Sequence, residues 1–490
     1  MKRALALLVL LSGCAVGPDF ERPAAPKGER YTAGATPSAV APASGGASQR
    51  IAVGEAVAAD WWRLFRSERL DGVIGAALQG SRTIAAARAT LAAARENVLA
   101  ARGGYWPRVD FAASVERAKG SALQSSVGSR TAAIGSPAET IYSLGPTVSY
   151  APDVFGATRR QVEQQQALAD LQGYELGAAY LTLTGNAVTQ AITIASLRAQ
   201  IQAAEDVVSD DMRNVELVQL EFEAGKVART DVLTAQTQLA SDRTLLPPLR
   251  QQLAAARHAL AILTGRSPAQ WSPPDFDLKD FTLPGALPLS LPSALVRQRP
   301  DILAAEAQLH ADSAAIGIAT AQLYPGLTLS ASLGQTALDA GSLFNGANAY
   351  WSLAGQLAAP LFHGGTLEAQ RRAAIDTYRA QLATYEQTVL QAFQQVADSL
   401  RALEHDAELL ASNQQLLDTA TDALQLQRAS YEAGKSSVLQ LIDAERSYQQ
   451  ARLGLAKAQA QRLQDTAQLL VALGGGWWDA KLERPSSAPQ

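Results

Sequence analysis

Apolar residues recur at every seventh position through much of the second half of the chain. The column runs backward from Tyr431 through Leu424, Leu417, Leu410, Leu403, Val396, Val389 and Leu382. An unbroken seven-residue apolar repeat is typical of a coiled-coil seam. At a rise of about 1.5 Å per residue, it predicts a helix of about 74 Å, much longer than the helices of ordinary globular domains.

The same pattern occurs a second time, 209 residues upstream. That column runs backward from Phe222 through Val215, Val208, Ile201, Ile194, Ala187 and Tyr180. Both columns lead into the tetrapeptide EAGK, at 223–226 and at 432–435. The chain therefore contains an internal duplication. Because Gly225 and Gly434 stand where a helix end favours left-handed backbone, each copy predicts an antiparallel helical hairpin with a glycine at its tip.

Two segments in each half alternate instead with a period of two. They are 107–116 and 143–151 in the first half, and 327–333 and 351–357 in the second. Such alternation is typical of strands with one apolar and one polar face. Strands of about ten residues can cross an outer membrane. A small soluble sheet is the alternative interpretation of the same pattern.

Four strands per chain cannot close a barrel by themselves, and lipid does not tolerate an open sheet edge. Membrane strands would therefore have to be shared between chains. Two copies would give about eight strands, whose bore is filled by side chains, whereas three would give about twelve and leave room for a channel. The strand pattern thus favours a trimer.

The N-terminus has the features of an export signal. Residues 1–13 combine Lys2 and Arg3 with an apolar run, which is too short to span a bilayer permanently. Cys14 follows directly and is the only cysteine in 490 residues, so it predicts a lipid-modified N-terminus. An ordinary signal peptide beside a coincidental cysteine is the alternative. Loss of the two basic residues changes the formal net charge from -4 to -6, which argues against a nucleic-acid partner.

Residues that could support catalysis or bind a metal are sparse. The four histidines, His258, His310, His363 and His405, are scattered, and no glycine-rich phosphate loop follows a strand. We therefore expect no catalytic residue, no metal site and no cofactor beyond the covalent lipid on Cys14. The alternative functions are a periplasmic adaptor, which would have one hairpin, and a structural coiled-coil lipoprotein, which would lack the strands.

Five motifs are spread in order along the mature chain. They are CAVGPDF at 14–20, DVFG at 153–156, LPSALVRQRPDI at 291–302, LFHGG at 361–365 and ALGGGW at 472–477. Together they resemble the TolC-like outer membrane factors, and more narrowly the NodT-type efflux lipoproteins. The resemblance implies the exit duct of a tripartite efflux system, which works with a periplasmic adaptor and an inner-membrane pump. It also implies a mostly α-helical homotrimer that shares a twelve-stranded β-barrel, four strands per chain, and a twelve-helix periplasmic α-barrel.

Together with these patterns, the resemblance implies the following order of segments. They are a signal peptide (1–13), a lipidated tether (14–57), a first efflux repeat (58–265), an equatorial linker (266–294), a second efflux repeat (295–474) and a C-terminal tail (475–490). The first repeat is predicted to hold strands at 106–117 and 142–152 and a hairpin at 157–245 with its tip at 223–228. The second is predicted to hold strands at 325–334 and 349–360 and a hairpin at 366–473 with its tip at 432–437.

The resemblance further implies a gated periplasmic mouth at the hairpin tips. Ring positions fall on Leu439 and Asp443, with Arg446 one turn further along, and a restraining hydrogen bond is implied between Tyr431 and Asp231. From the sequence alone, Tyr431 is equally a packing residue of the heptad column, and Asp443 fits a solvated helix face. We expect the exposed turn residues to dock the adaptor: Gly225, Lys226, Gly434 and Lys435. The expected location is the outer membrane, with a lipid anchor and a body extending into the periplasm.

Overall fold

The computed structural model describes residues 15–26, 28, 30–32, 39–40, 48–119 and 138–479. The predicted signal peptide and Cys14 lie outside this part of the chain. So do most of the predicted loop between the first two strands and the end of the predicted C-terminal tail. None of the described helices combines the length and hydropathy needed to cross a membrane.

Helices dominate the described chain, and strands form two small sheets. The helices are α1 (Glu68–Gly80), α2 (Arg82–Arg102), α3 (Ala157–Glu223), α4 (Arg229–Arg243), α5 (Leu246–Leu263), α6 (Pro292–Leu295), α7 (Pro300–Ala321), α8 (Thr366–Glu432) and α9 (Val438–Ala472). The strands are β1 (Ala39–Val40), β2 (Gln49–Val53), β3 (Arg108–Ala118), β4 (Glu139–Tyr150), β5 (Ala286–Leu289), β6 (Gly326–Ala337) and β7 (Ala349–Ala358). This agrees with the predicted mostly helical fold that carries a few strands.

The two long helices follow directly from the heptad columns. α3 and α8 contain 67 residues each, which corresponds to about 100 Å of helix. Away from the tips, several of their column residues are fully buried, among them Ile194 and Leu403. Burial of one apolar stripe is what keeps so long a helix folded, because helix propensity alone contributes little.

The returning helices differ between the two hairpins. In the second hairpin, α9 runs 35 residues without a break. In the first, α4 ends at Arg243 and α5 begins at Leu246, with Pro247 and Pro248 in its first turn. Proline has no backbone N–H to donate and is tolerated only at the start of a helix. The paired prolines therefore divide the returning segment into two helices.

One compact unit comprises Met1–Arg22, Ala92–Ala169 and Ala307–Ala383 and contains a four-stranded antiparallel sheet. The strand order is β3-β4-β6-β7. Register aligns Val109 with Val148, Val148 with Ala331, and Ala331 with Leu353, so apolar residues share one face. The observed strands are shifted by a few residues from the predicted ranges, because a period of two fixes the face of a strand but not its ends.

The other unit comprises Pro23–Leu91, Asp170–Glu306 and Thr384–Gln490, and it holds both hairpin tips and the main apolar core. A three-stranded sheet of order β1-β2-β5 draws its last strand from the predicted linker 266–294. The glycine run of the ALGGGW motif packs here. A Cβ at Gly476, whose φ is +64°, would lie 2.3 Å from the carbonyl carbon of Ala58, so only glycine fits that position.

Candidate functional site

The two hairpin tips have the same backbone structure. The N–H groups of Gly225 and Lys226 donate to carbonyls three and five residues earlier, each at 2.9 Å. Those of Gly434 and Lys435 make the equivalent bonds at 2.8 and 2.9 Å. The glycines have φ of 72° and 68°, the left-handed backbone that closes a helix C-terminus. Both turns lie on the surface, and both lysines are exposed.

The returning helices also begin alike, because each has a side chain that caps its first turn. A carboxylate oxygen of Asp231 accepts the N–H of Ala228 at 3.0 Å. In the second tip, the side-chain oxygen of Gln440 accepts the N–H of Ser437 at 3.0 Å. Each is one half of a capping box, the bond from the third helical residue back to the N–H of the N-cap residue. In one chain, Asp231 thus fixes the start of α4.

A small apolar cluster joins the two tips. Its buried members come from both hairpins: Val218, Val232, Ala235, Val438 and Ile442. Phe222 and Tyr431, which end the two heptad columns, pack at its edge. The two tips of one chain are therefore in contact, and Tyr431 is a packing residue as well as a polar one.

The Tyr431 hydroxyl donates to a carboxylate oxygen of Glu221 on α3, at 2.6 Å. This corrects the predicted pairing with Asp231 within one chain, because the Asp231 carboxylate caps its own helix. Burial and the hydrogen-bonded Glu221 carboxylate raise the pKa of Tyr431 above its ordinary value. The phenol therefore remains protonated and can donate across the whole physiological range.

A second polar connection between the hairpins is centred on Glu445 of α9, which is 3% exposed. Arg428 of α8 donates to Glu445 at 3.2 Å and to Asp210 of α3 at 3.0 Å. Asn214 of α3 donates to the other oxygen of Glu445. Burial raises the pKa of Glu445, and the bonds from Arg428 and Asn214 oppose that rise. Arg428 thus bridges a carboxylate of each hairpin.

The predicted ring residues lie on a different face of α9. Leu439, Asp443 and Arg446 are all exposed in the single chain, at spacings of four and three residues that place them on one stripe. Arg446 lies 3.6 Å from Asp443, so the guanidinium partly offsets that carboxylate. None of these three side chains belongs to the buried network around Glu445, which occupies the opposite side of the helix.

Five residues of the two polar bridges were not predicted: Glu221, Asp210, Asn214, Arg428 and Glu445. The repeat held a signal for the four charged ones, because each has a neutral residue at the equivalent position of the other copy: Ser430, Thr419, Gln219 and Gln236. Positions where a duplication becomes asymmetric are candidates for contacts between the copies. Among the described residues, no three His, Cys, Asp or Glu side chains are placed to hold a metal ion.

The model of one protein family, described as outer membrane efflux protein, matches this chain twice, over residues 73–266 and 291–475. The chain belongs to the outer membrane efflux protein family. The two matches confirm the duplication predicted from the repeated columns. Because it belongs to this family, the protein is an outer membrane channel, the export duct of an efflux system, and a transport protein rather than an enzyme.

Relatives extend over nearly the whole of this efflux protein. Nodulation protein T of Rhizobium leguminosarum bv. viciae is 28% identical, over 99% of this chain and 95% of its own length. The pyoverdine export outer membrane protein OpmQ of Pseudomonas aeruginosa is 32% identical, over 87% of this chain and 90% of its own.

Solved structures match the fold equally well. The outer-membrane channel OprN superposes with a TM-score of 0.83 at 28% identity, covering 95% of this chain and all of that one. The open state of the MtrE outer membrane channel of Neisseria gonorrhoeae superposes with a TM-score of 0.76 at 26% identity, covering 95% and 99%.

Proposed function

We propose that this efflux protein works as a homotrimer whose three four-stranded sheets close one twelve-stranded barrel. Within the described chain, β3 and β7 each pair with only one strand, so both edges of the sheet present unpaired backbone groups. Four strands cannot close on themselves, and lipid would leave those groups unsatisfied. Pairing between copies removes the edges. The helical hairpins of three chains would then form the twelve-helix periplasmic tunnel.

The exposed face of the sheet supports insertion into lipid. Phe111, Trp351 and Leu353 are 69%, 77% and 75% exposed in the single chain. An apolar patch of this kind on a sheet marks a membrane or protein contact. We place it against the hydrocarbon of the outer membrane.

A lipid on Cys14 would anchor the chain beside the barrel. Cys14 lies outside the described residues, but the segment that follows it is held firmly. Arg160 donates to the carbonyl oxygens of Val16 and Gly17, each at 3.3 Å, and to the Asp19 carboxylate at 2.8 Å. These bonds fix the start of the mature chain, so an attached lipid would have a defined position.

The hairpin tips would form the gated periplasmic mouth. The observation that carries this proposal is the pair of polar bridges, Tyr431–Glu221 and Arg428 between Asp210 and Glu445, which tie the two hairpins of one chain together. Breaking them would allow one hairpin to move relative to the other. The exposed stripe of Leu439, Asp443 and Arg446 is then available to meet its copies at the threefold axis, while Asp231 keeps the turn of the first tip in shape.

The turns themselves would dock the periplasmic adaptor that leads to the inner-membrane pump. A Cβ placed on Gly225 or Gly434 would meet nothing within 4 Å, so both tips are free to be covered by a partner. Lys226 and Lys435 give each tip one exposed positive charge. An adaptor surface with small apolar grooves and carboxylates would fit these paired turns.

The test is the single-channel conductance of the purified protein in planar lipid bilayers. We expect a trimer by light scattering in detergent, and a small resting conductance. Arg428→Ala should raise that conductance, because it frees two carboxylates that the guanidinium holds together. Arg401→Ala is the matched control, since the only ion pair of Arg401 among the described residues is an exposed one within α8, with Glu404 at 2.6 Å. A monomer, or equal conductance of both variants, would contradict the proposal.

A further inference from the structure

Each helical hairpin buries one pair of aspartates that face each other across its two helices. In the first hairpin, Asp211 of α3 is 3% exposed and Asp242 of α4 is 7% exposed. In the second, Asp406 of α8 and Asp465 of α9 are both 8% exposed. The two carboxyl groups of each pair lie close enough to share a hydrogen bond when one of them is protonated. Buried carboxyl pairs are unusual in a coiled coil, where such positions are normally apolar.

The two pairs share the same local arrangement. On the returning helix, a glutamine four residues earlier donates to the aspartate: Gln238 to Asp242 at 2.7 Å, and Gln461 to Asp465 at 2.8 Å. On the outgoing helix, one carboxyl oxygen of Asp211 and one of Asp406 meet no hydrogen-bond donor among the described residues. One member of each pair is thus held in place, and the other keeps an unsatisfied buried oxygen.

The duplication shows that neither pair is needed to build a hairpin. Asp211 and Asp406 stand 14 and 28 residues before their tip glycines, a whole number of heptads in each case. Each pair therefore has a counterpart in the other copy, and both counterparts are apolar and buried: Ala420 with Ala451, and Leu197 with Ala256. At the equivalent position of the other hairpin, apolar side chains pack between the two helices. The aspartates therefore serve a purpose other than packing.

Two ionised carboxylates in this position would repel each other and lack solvation. A single proton resolves the conflict, because the protonated carboxyl donates to the ionised one. The charges around the first pair also favour its protonated form. Asp210 and Glu445 add negative charge nearby. Two neighbouring cations are already bonded to these carboxylates, Arg428 to both and Arg213 to Asp210.

Two cationic side chains lie near the second pair. Arg462 of α9 and His405 of α8 lie close enough to favour ionisation of Asp406. Arg462 is buried, and its guanidinium also donates to the side-chain oxygen of Gln49, at 3.2 and 3.3 Å. The second pair is therefore expected to release its proton more easily than the first.

We propose that each hairpin has a proton-binding site, in which a buried aspartate pair shares one proton between its two helices, and that loss of this proton loosens the hairpin at that level. The sites lie about 21 Å and about 42 Å from the tips along the helix. The proposal concerns single hairpins and does not depend on whether the tips form a gate.

The direction of the pH effect follows from the raised pKa values of Asp211 and Asp406. Burial and the partner carboxyl raise the pKa of Asp211 from 3.8 to about 8, and that of Asp406 from 3.8 to about 7. Between the ordinary pKa of 3.8 and the raised pKa of each aspartate, the closed hairpin binds more protons than the opened one. The free energy of opening therefore falls as pH rises. The shared proton stabilises the closed hairpin most in acid. This stabilisation is lost as pH passes about 7 in the second hairpin and about 8 in the first.

Hydrogen exchange of the full-length protein in detergent tests this, with rates corrected for the intrinsic pH dependence. Protection of peptides around Asp211 and Asp242 should fall at least tenfold from about pH 6 to about pH 9, with about a hundredfold as the limit that such a pKa allows. Asp211→Asn supplies the donor without a titrating proton. It should hold protection constant in the first hairpin within about twofold and leave the second hairpin pH-dependent.

The complementary variant provides a matched control in the same molecule. Asp406→Asn should remove the pH dependence of the second hairpin only. If an asparagine variant fails to assemble, Asp211→Ala with Asp242→Ala reproduces the alanine pair of the sister hairpin and should give the same result. An infrared carbonyl band of protonated carboxyl groups should also disappear with rising pH and be weaker in each variant. Exchange protection that is independent of pH in the parent, or unchanged pH dependence in the variants, would overturn the proposal.

Discussion

Replacing Tyr431 with phenylalanine removes one hydroxyl from the tip and leaves the aromatic ring in its apolar cluster. The lost contact is the 2.6 Å hydrogen bond to Glu221, which joins α8 to α3. No cavity is created, because phenylalanine occupies the same volume. The change therefore isolates one polar bridge between the two hairpins.

The size of the effect follows from the acceptor and its exposure. A hydrogen bond to a charged group contributes about 1.5–3 kcal/mol net. Glu221 is only half-buried, so water can replace part of the lost bond and the lower end applies. About 1.4 kcal/mol corresponds to a tenfold change in an equilibrium. Tyr431→Phe should thus shift the balance between closed and open tips about tenfold toward open.

A double-mutant cycle on the open probability in planar bilayers identifies the partner. Glu221→Gln combined with Tyr431→Phe should show a coupling energy of about 1 kcal/mol, because both changes remove the same bond. Asp231→Asn is the matched comparison. It weakens the cap of α4 and should combine additively with Tyr431→Phe, within about 0.3 kcal/mol.

Two results would refute this reasoning. One is additivity of the Glu221 and Tyr431 changes, which would mean that the phenol contributes only packing. The other is strong coupling between Tyr431 and Asp231, which would mean that their bond forms between neighbouring chains of the assembly rather than within one.

Three further changes give separate expectations. Gly434→Ala places a Cβ on a residue whose φ is +68° and should cost about 1 kcal/mol of local stability, seen as roughly fivefold faster hydrogen exchange at that tip; unchanged exchange would show that the turn can relax. Cys14→Ser should abolish lipid attachment by mass spectrometry, while the trimer still inserts into membranes, since one acyl group adds little to a spanning barrel; a variant that stays in the soluble fraction would contradict this. Asp443→Asn should weaken block by divalent cations at the mouth, with Asp376→Asn, which lies far from the tip, as the control; equal block in both variants would place Asp443 away from the pore axis.

The elements of this protein could be predicted from its sequence because they depend on local periodicity. A repeat of seven predicted the two long helices, a period of two predicted the four strands, and EAGK predicted the turns between the hairpin helices. Each of these patterns is read within one segment of chain. The strand ends and the division of the first returning helix were less well defined, since they depend on a few residues at element ends.

The partners of the polar side chains could not be predicted in this way. Which carboxylate meets Tyr431 depends on how α8 lies against α3, and the two bonded residues, Glu221 and Tyr431, are 210 positions apart in the sequence. The heptad pattern fixes which stripe is buried but leaves open which residues of two stripes face each other. The resemblance suggested Asp231, whereas the packing of the tips brought Glu221 to the phenol.

The buried aspartate pairs illustrate the same division. In the sequence, Asp211 and Asp242 are ordinary charged residues of an acidic chain, 31 positions apart, and nothing local distinguishes them from solvated neighbours. Only the closed hairpin places both at one level and excludes water from them. Sequence therefore determined the helices, the strands and the duplication, which arise from interactions between near neighbours. Tertiary structure decided which charges are buried together, because desolvation and pairing depend on distances between helices that no local pattern encodes.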